Sequence, residues 1–116
     1  MSSALTVRWS LAGGPEGVEQ QLRDYVAASS HARFEQRAGL RFKTWRMRAG
    51  EWFEGCYVFV DDAARVEFQE SFTPGADDSP VSGIVGSGPV LIEECEVVAV
   101  AGGPEGFVSV PSYDDA

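Results

Sequence analysis

Three side chains in the middle of the chain carry the most usable chemistry: Lys43, Trp45 and Tyr57. Lys43 and Trp45 stand two apart in an alternating run, a spacing that puts both on one face of a strand. The ammonium can steady a phenolate, the indole offers a ring face and an N–H, and the Tyr57 hydroxyl offers one more donor. Aromatic groups with a single polar tip bury area while fixing orientation, so this set suits a flat phenolic ligand. Trp9 and Phe59 lie in neighbouring apolar runs and are the expected walls of such a pocket. His31, the single histidine, falls beside Ser29, Ser30 and Arg33 late in a helical stretch. It reads as a residue of a polar helix face and as a further substrate contact.

Other chemistries find no support in the pattern. No His, Cys and carboxylate group has metal-ligand spacing, and no serine or cysteine sits in a nucleophile motif. The segment Ala12-Gly-Gly-Pro-Glu-Gly17 recurs as Ala101-Gly-Gly-Pro-Glu-Gly106. Neither copy has a dinucleotide or phosphate-loop pattern, so both read as turns that end strands, and no cofactor is expected. Glu93, Glu94 and Glu96 read as a solvated strand edge.

The elements that must position these groups follow from periodicity. Residues 4–11 alternate, with Leu5, Val7, Trp9 and Leu11 on one side. Pro15 opens a helix from Val18 to about Arg37, whose inward stripe is Val18, Leu22, Tyr25, Val26, Ser29 and Phe34. Leu40 to Arg48 and Phe53 to Val60 form a hairpin. Asp61 and Asp62 then cap a second helix that ends near Phe72. Residues 75–89 read as a flexible loop with one helical turn, and Val90 to Val100 as the last strand. The order is β-α-β-β-α-β, an α+β, ferredoxin-like arrangement: a four-stranded antiparallel sheet with both helices on one face. One domain covers residues 1–107, followed by a flexible C-terminal tail at 108–116.

Strand three is apolar on both sides in this reading, with Phe53, Tyr57 and Phe59 on one and Cys56, Val58 and Val60 on the other. No third helix is available to cover the second side, so a second copy of the chain is the expected cover: a homodimer forming a dimeric α+β barrel. The chain of 116 residues carries a formal charge of −9. That charge disfavours nucleic acid and anionic membranes as partners. No apolar run is long enough to span a membrane and the N-terminus lacks a signal-peptide pattern, so the cytoplasm is the expected location.

The hairpin segments Gly39-Leu-Arg-Phe-Lys-Thr-Trp45 and Gly55-Cys-Tyr-Val-Phe-Val-Asp61 resemble the central hairpin of small YdhR-type monooxygenase-like proteins. These belong to the dimeric α+β barrel superfamily, alongside the antibiotic biosynthesis monooxygenases. Arg8-Trp-Ser-Leu-Ala-Gly-Gly-Pro15 is similar to the first strand and helix entry of that family. The likeness spans roughly residues 5–100 and departs at 73–89, where this chain carries a Gly/Pro/Ser-rich segment. It implies a cofactor-independent monooxygenase acting on a small phenol- or hydroquinone-like molecule, with Tyr57, Trp45 and Lys43 as catalytic groups. The alternative within the same fold is a non-catalytic dimer that binds a small ligand or serves as an accessory protein.

Cys56 and Cys95 sit in apolar strand-like runs, in no CxxC spacing, and read as buried reduced thiols. With strand one between strands three and four, their backbones stand about 10 Å apart, beyond the reach of a disulfide. Thiol titration of unfolded, unreduced protein should return two free thiols per chain.

Overall fold

A computed structural model describes residues 2–113. Four antiparallel strands form one sheet in the order β2-β3-β1-β4: β1 (Ser3–Ser10), β2 (Leu40–Arg48), β3 (Trp52–Phe59) and β4 (Leu91–Glu96). Helices pack on one face. The first is α1 (Val18–Tyr25), continued by a π-helical turn (Val26–Ser30) and α2 (His31–Glu35). The second is α3 (Asp62–Phe72), extended by a 3-10 turn (Thr73–Asp78) and α4 (Pro80–Val85). The expected β-α-β-β-α-β arrangement is therefore present. No helix among the described residues is long and apolar enough to cross a membrane.

Alternation decides which face of the sheet is closed. Leu5, Val7 and Trp9 of β1 point toward the helices and are buried, as are Phe53, Tyr57 and Phe59 of β3. Leu22, Phe34 and Phe68 meet them from the helices. Phe68 lies 4.8 Å from Tyr57 and 5.8 Å from Phe34, ring centroid to centroid, so the core of this layer is a continuous aromatic packing. Asp61 caps α3 by accepting from the Ala64 backbone N–H at 2.9 Å. Gly39 makes the entry to β2 with φ +85°, where a Cβ would lie 2.8 Å from that of Ala64; only glycine fits there.

Five features differ from the sequence reading, each for a local reason. Ser29 is exposed and Ser30 is buried, because the π turn inserts a residue: the His31 N–H bonds to the carbonyl of Val26, five residues back. The same turn swings His31 inward, leaving it 9% exposed instead of on a polar face. The segment after Phe72 is ordered helix, with Ser79 capping α4 and Pro80 in its first turn. β4 stops at Glu96 because its partner β1 offers pairing only to Ser3. The second Ala-Gly-Gly-Pro-Glu-Gly copy therefore follows irregular chain, and Val98 and Val100 stay exposed. Cys95 is also exposed and Cys56 half-buried, because both face the side of the sheet that no helix covers.

That uncovered face is not uniformly apolar. Glu54 occupies its centre with no exposed surface, clasped by Arg8 from β1 and Arg46 from β2. Arg8 Nε donates to one carboxylate oxygen at 2.7 Å and Arg46 Nε to the other at 2.8 Å, while the Cys56 thiol donates at 3.2 Å. Around this clasp lie half-buried Phe42, Trp52 and Val58, with the Arg8 guanidinium 4.3 Å above the Trp52 ring. Beyond the sheet, the Ser109 hydroxyl donates to Glu35 and lies 3.3 Å from His31 Nε2, which ties part of the C-terminal segment to α2. Residues 114–116 of the expected tail lie outside the described residues.

Burial pushes the Glu54 carboxyl up, but the hydrogen bonds from Arg8, Arg46 and Cys56 outweigh it and hold the group below its ordinary value. A depressed carboxyl contributes stability that is present above its unfolded pKa and is lost as pH falls toward the folded one. Glu54→Gln should therefore cost about 1–2 kcal/mol at neutral pH, both arginines being partly solvated. The gap from wild type should close below about pH 4.3. Urea titrations of both proteins at neutral and acidic pH check the size and the sign.

Candidate functional site

Between the sheet and the helices lies a cleft of about 350 Å³, a size typical of small-ligand sites. Its floor comes from alternate positions of β2, β3 and β1. Trp45 of β2 sits opposite Gly55 of β3, and Lys43 sits opposite Tyr57, so all four share the closed face. Trp9 and Phe53 continue the floor from β1 and β3. Gly55 makes the space: a Cβ there would lie 3.1 Å from Lys43 Cε and 3.2 Å from the Tyr57 hydroxyl.

Lys43 is the central group. Its Nζ stands 3.5 Å from the ring centre of Phe34, 4.3 Å from Tyr57 and 4.4 Å from Trp45. Ring faces attract cations and return part of the cost of desolvating one. Among the described residues no carboxylate pairs with it. Burial holds its pKa well below the ordinary lysine value, and nearby Arg33 lowers it further. Burial raises Tyr57 above its ordinary value, so the hydroxyl stays a protonated donor and is unsuited to be a base.

The other walls are helical. Ser30 and Phe34 reach the cleft through the π turn, and Arg33 and Arg37 stand on its helix side. Arg33 donates to the Tyr25 hydroxyl at 3.0 Å and lies over Phe34; Arg37 lies over Phe68. Opposite them, the segment from Gly75 to Val81 closes the rim beside Phe72. It is pinned from below: Trp9 Nε1 donates to Ser82 Oγ at 2.9 Å, and Ser82 Oγ donates to the Ala76 carbonyl at 2.7 Å. The stretch that departs from the hairpin's resemblance thus supplies one wall of the cleft.

Of the six residues singled out from sequence, Lys43, Trp45, Tyr57 and Trp9 come together around the cleft. Phe59 does not line it; fully buried, it stacks 6.0 Å behind Tyr57. His31 does not line it either. Its ring packs 5.9 Å from that of Trp45. Arg33, Arg37 and Ser82 were missed. The arginine pair at i and i+4 next to Phe34 was a readable signal, since that spacing shares a helix face. Ser82 had none, because only the fold brings it to Trp9.

No protein-family model matches the chain, and no curated protein matches it. Two solved structures share its fold. A protein of unknown function from Nitrosomonas europaea, NE2512, is 22% identical with a TM-score of 0.62, over 86% of this chain and 92% of that one. Rv0793 from Mycobacterium tuberculosis is 14% identical with a TM-score of 0.56, over 87% of this chain and 99% of that one. The likeness establishes the small α+β fold.

An uncompensated buried amine is a stability cost that a function must justify. Lys43→Met keeps the volume and removes the charge, so it should raise the melting temperature by several degrees at neutral pH. With its folded pKa depressed, wild type regains stability as pH rises toward the unfolded lysine value of about 10.4. The advantage of the variant should accordingly shrink between pH 7 and pH 10, which paired thermal melts measure.

Proposed function

We propose that the cleft binds a small phenol- or hydroquinone-like molecule and that the protein acts on it as a cofactor-independent monooxygenase. The observation that carries this reading is Lys43: a desolvated amine with no acidic partner among the described residues, facing a cleft walled by aromatic rings. A lysine lowered in this way is available as a neutral base. It takes the phenolic proton and then faces the phenolate as an ammonium ion, while Tyr57 donates to the same oxygen. The electron-rich anion can pass electrons to dioxygen unaided. For a hydroquinone the balance is hydroquinone plus dioxygen to hydroxyquinone plus water. One oxygen atom enters the ring as hydroxyl, the other leaves as water, and the ring supplies every electron. The likeness of the hairpin to YdhR-type proteins supports the same reaction class.

The working unit in this reading is a homodimer. Phe42, Trp52 and Val58 form an apolar surround on the uncovered sheet face, and Val98 and Val100 are 91% and 67% exposed on the segment that leaves β4. A second sheet would bury both sets, at roughly 25 cal/mol for each Å² of apolar surface. The alternative, a dimer that binds the same ligand without turning it over, draws on one observation: the cleft contains no general base besides Lys43 among its described lining residues.

Light scattering should give twice the chain mass of 12.5 kDa. Oxygen-electrode assays with a hydroquinone panel should show uptake in step with hydroxyquinone formation and without peroxide. Tyr57→Phe should leave folding intact and slow turnover by about 10²–10³-fold, the usual loss for one oxyanion donor. Tight binding of a hydroquinone with no oxygen uptake would exclude the oxygenase and leave the ligand-binding dimer.

A further inference from the structure

The chain carries 18 acidic residues and 9 basic ones, yet the cleft reverses that balance. Its lining includes Lys43, Arg33 and Arg37 and no aspartate or glutamate. Elsewhere three arginines pair with carboxylates, Arg8 and Arg46 with Glu54 and Arg48 with Glu51, while Arg41 and Arg65 donate to Ser2, Ser3 and Gln69. Of the three lining residues, Arg33 donates to the Tyr25 hydroxyl and lies over Phe34, Arg37 lies over Phe68, and Lys43 lies among Phe34, Tyr57 and Trp45. In so acidic a chain, three basic side chains on one cleft with no carboxylate placed there among the described residues are a ligand-binding feature.

The three occupy different levels. Lys43 lies at the floor among Phe34, Trp45 and Tyr57, whereas Arg33 is exposed and Arg37 half-buried on the helix side. The aromatic surfaces of Trp9, Phe53 and Phe72 lie on the same cleft. We infer that the ligand is an aromatic acid with two separated oxygen functions: a phenolic oxygen held at the floor by Lys43 and Tyr57, and a carboxylate held at the rim by Arg33 and Arg37. Guanidinium groups match a planar carboxylate, and a compact ammonium suits a single oxygen. The cleft volume of about 350 Å³ accommodates a two-ring compound of this kind. This inference rests on the phenol-binding reading above and adds the second anchor.

Calorimetric titration with 6-hydroxy-2-naphthoate, 2-naphthol and 2-naphthoate separates the two levels. Wild type should bind the hydroxynaphthoate about tenfold or more tightly than 2-naphthol, the gain expected of one charge-assisted contact. Arg33→Gln, and Arg33→Gln with Arg37→Gln, should bring the ratio of hydroxynaphthoate to 2-naphthol affinity down toward one, whatever change they make to 2-naphthol binding itself; unchanged thermal melts show that the fold persists. Lys43→Met should weaken both hydroxylated probes. If wild type binds 2-naphthol but gains nothing from the carboxylate, or if the arginine variants keep the gain, the rim anchor is refuted and the phenol reading stands. If no hydroxylated probe binds, both fall.

Discussion

The placement of one lysine amine among ring faces constrains this molecule more than any other single interaction, because the amine must be tolerated there both neutral and as the ammonium ion. A cation cannot leave water unless something replaces the lost hydration. Here the replacement is three ring faces, from Phe34, Tyr57 and Trp45, with Nζ within 4.4 Å of each ring centre. The rest of the site follows from that requirement. Trp45 and Tyr57 must occupy diagonal positions across a hairpin in fixed register, opposite Gly55 and Lys43 respectively. Gly55 must lack a side chain so that the lysine stem and the tyrosine hydroxyl can meet across it. Phe34 must be turned inward, and the π turn one step earlier does that.

β3 solves opposite electrostatic problems on its two faces. Even positions present Glu54 and Cys56 to the uncovered face, where Arg8 and Arg46 close over the carboxylate. Odd positions present Gly55 and Tyr57 to the cleft, where the lysine receives no carboxylate. One face is fully compensated and the other is left uncompensated. Compensation of the first kind specifies register, since a slip of one residue would send Glu54 into the aromatic core and Tyr57 out of it. Lack of compensation in the second leaves a charge for a ligand to meet, at a cost to stability, as is usual where a site is built into a core.

Much of this was legible in the residues. Strict alternation in β1 and the hairpin fixed the inward set, and the fold order followed from the run of elements. Lys43, Trp45, Tyr57 and Trp9 were found as a group because strand parity is robust. What failed to show was geometry that parity and helical period do not encode. A π turn has no compositional signature, so the helical stripe was one residue out at Ser29, and His31 was placed on the wrong side. The stretch 73–89 looks flexible by its glycines and prolines, yet Ser79 and Pro80 begin a helix there and Ser82 locks it to Trp9. The role of Glu54 is not legible in its neighbours, because the groups that compensate its burial are distant in sequence. Its two arginines come from strands that precede it by 46 and 8 residues.

The contrast between an acidic exterior and a cationic cleft has a kinetic consequence for an anionic ligand. Exposed charges act over roughly a Debye length, about 8 Å at physiological salt, so the net charge of −9 slows the approach of an anion without reaching into the cleft. Inside, Lys43 is half-buried among ring faces, and its field is screened less than that of a surface charge. Added salt therefore relieves the outer repulsion before it weakens the inner attraction. For the proposed anionic ligand, affinity built this way resides in slow release more than in fast capture, an arrangement that suits the proposed reaction, in which a ligand oxygen is held in one place while its ring reacts.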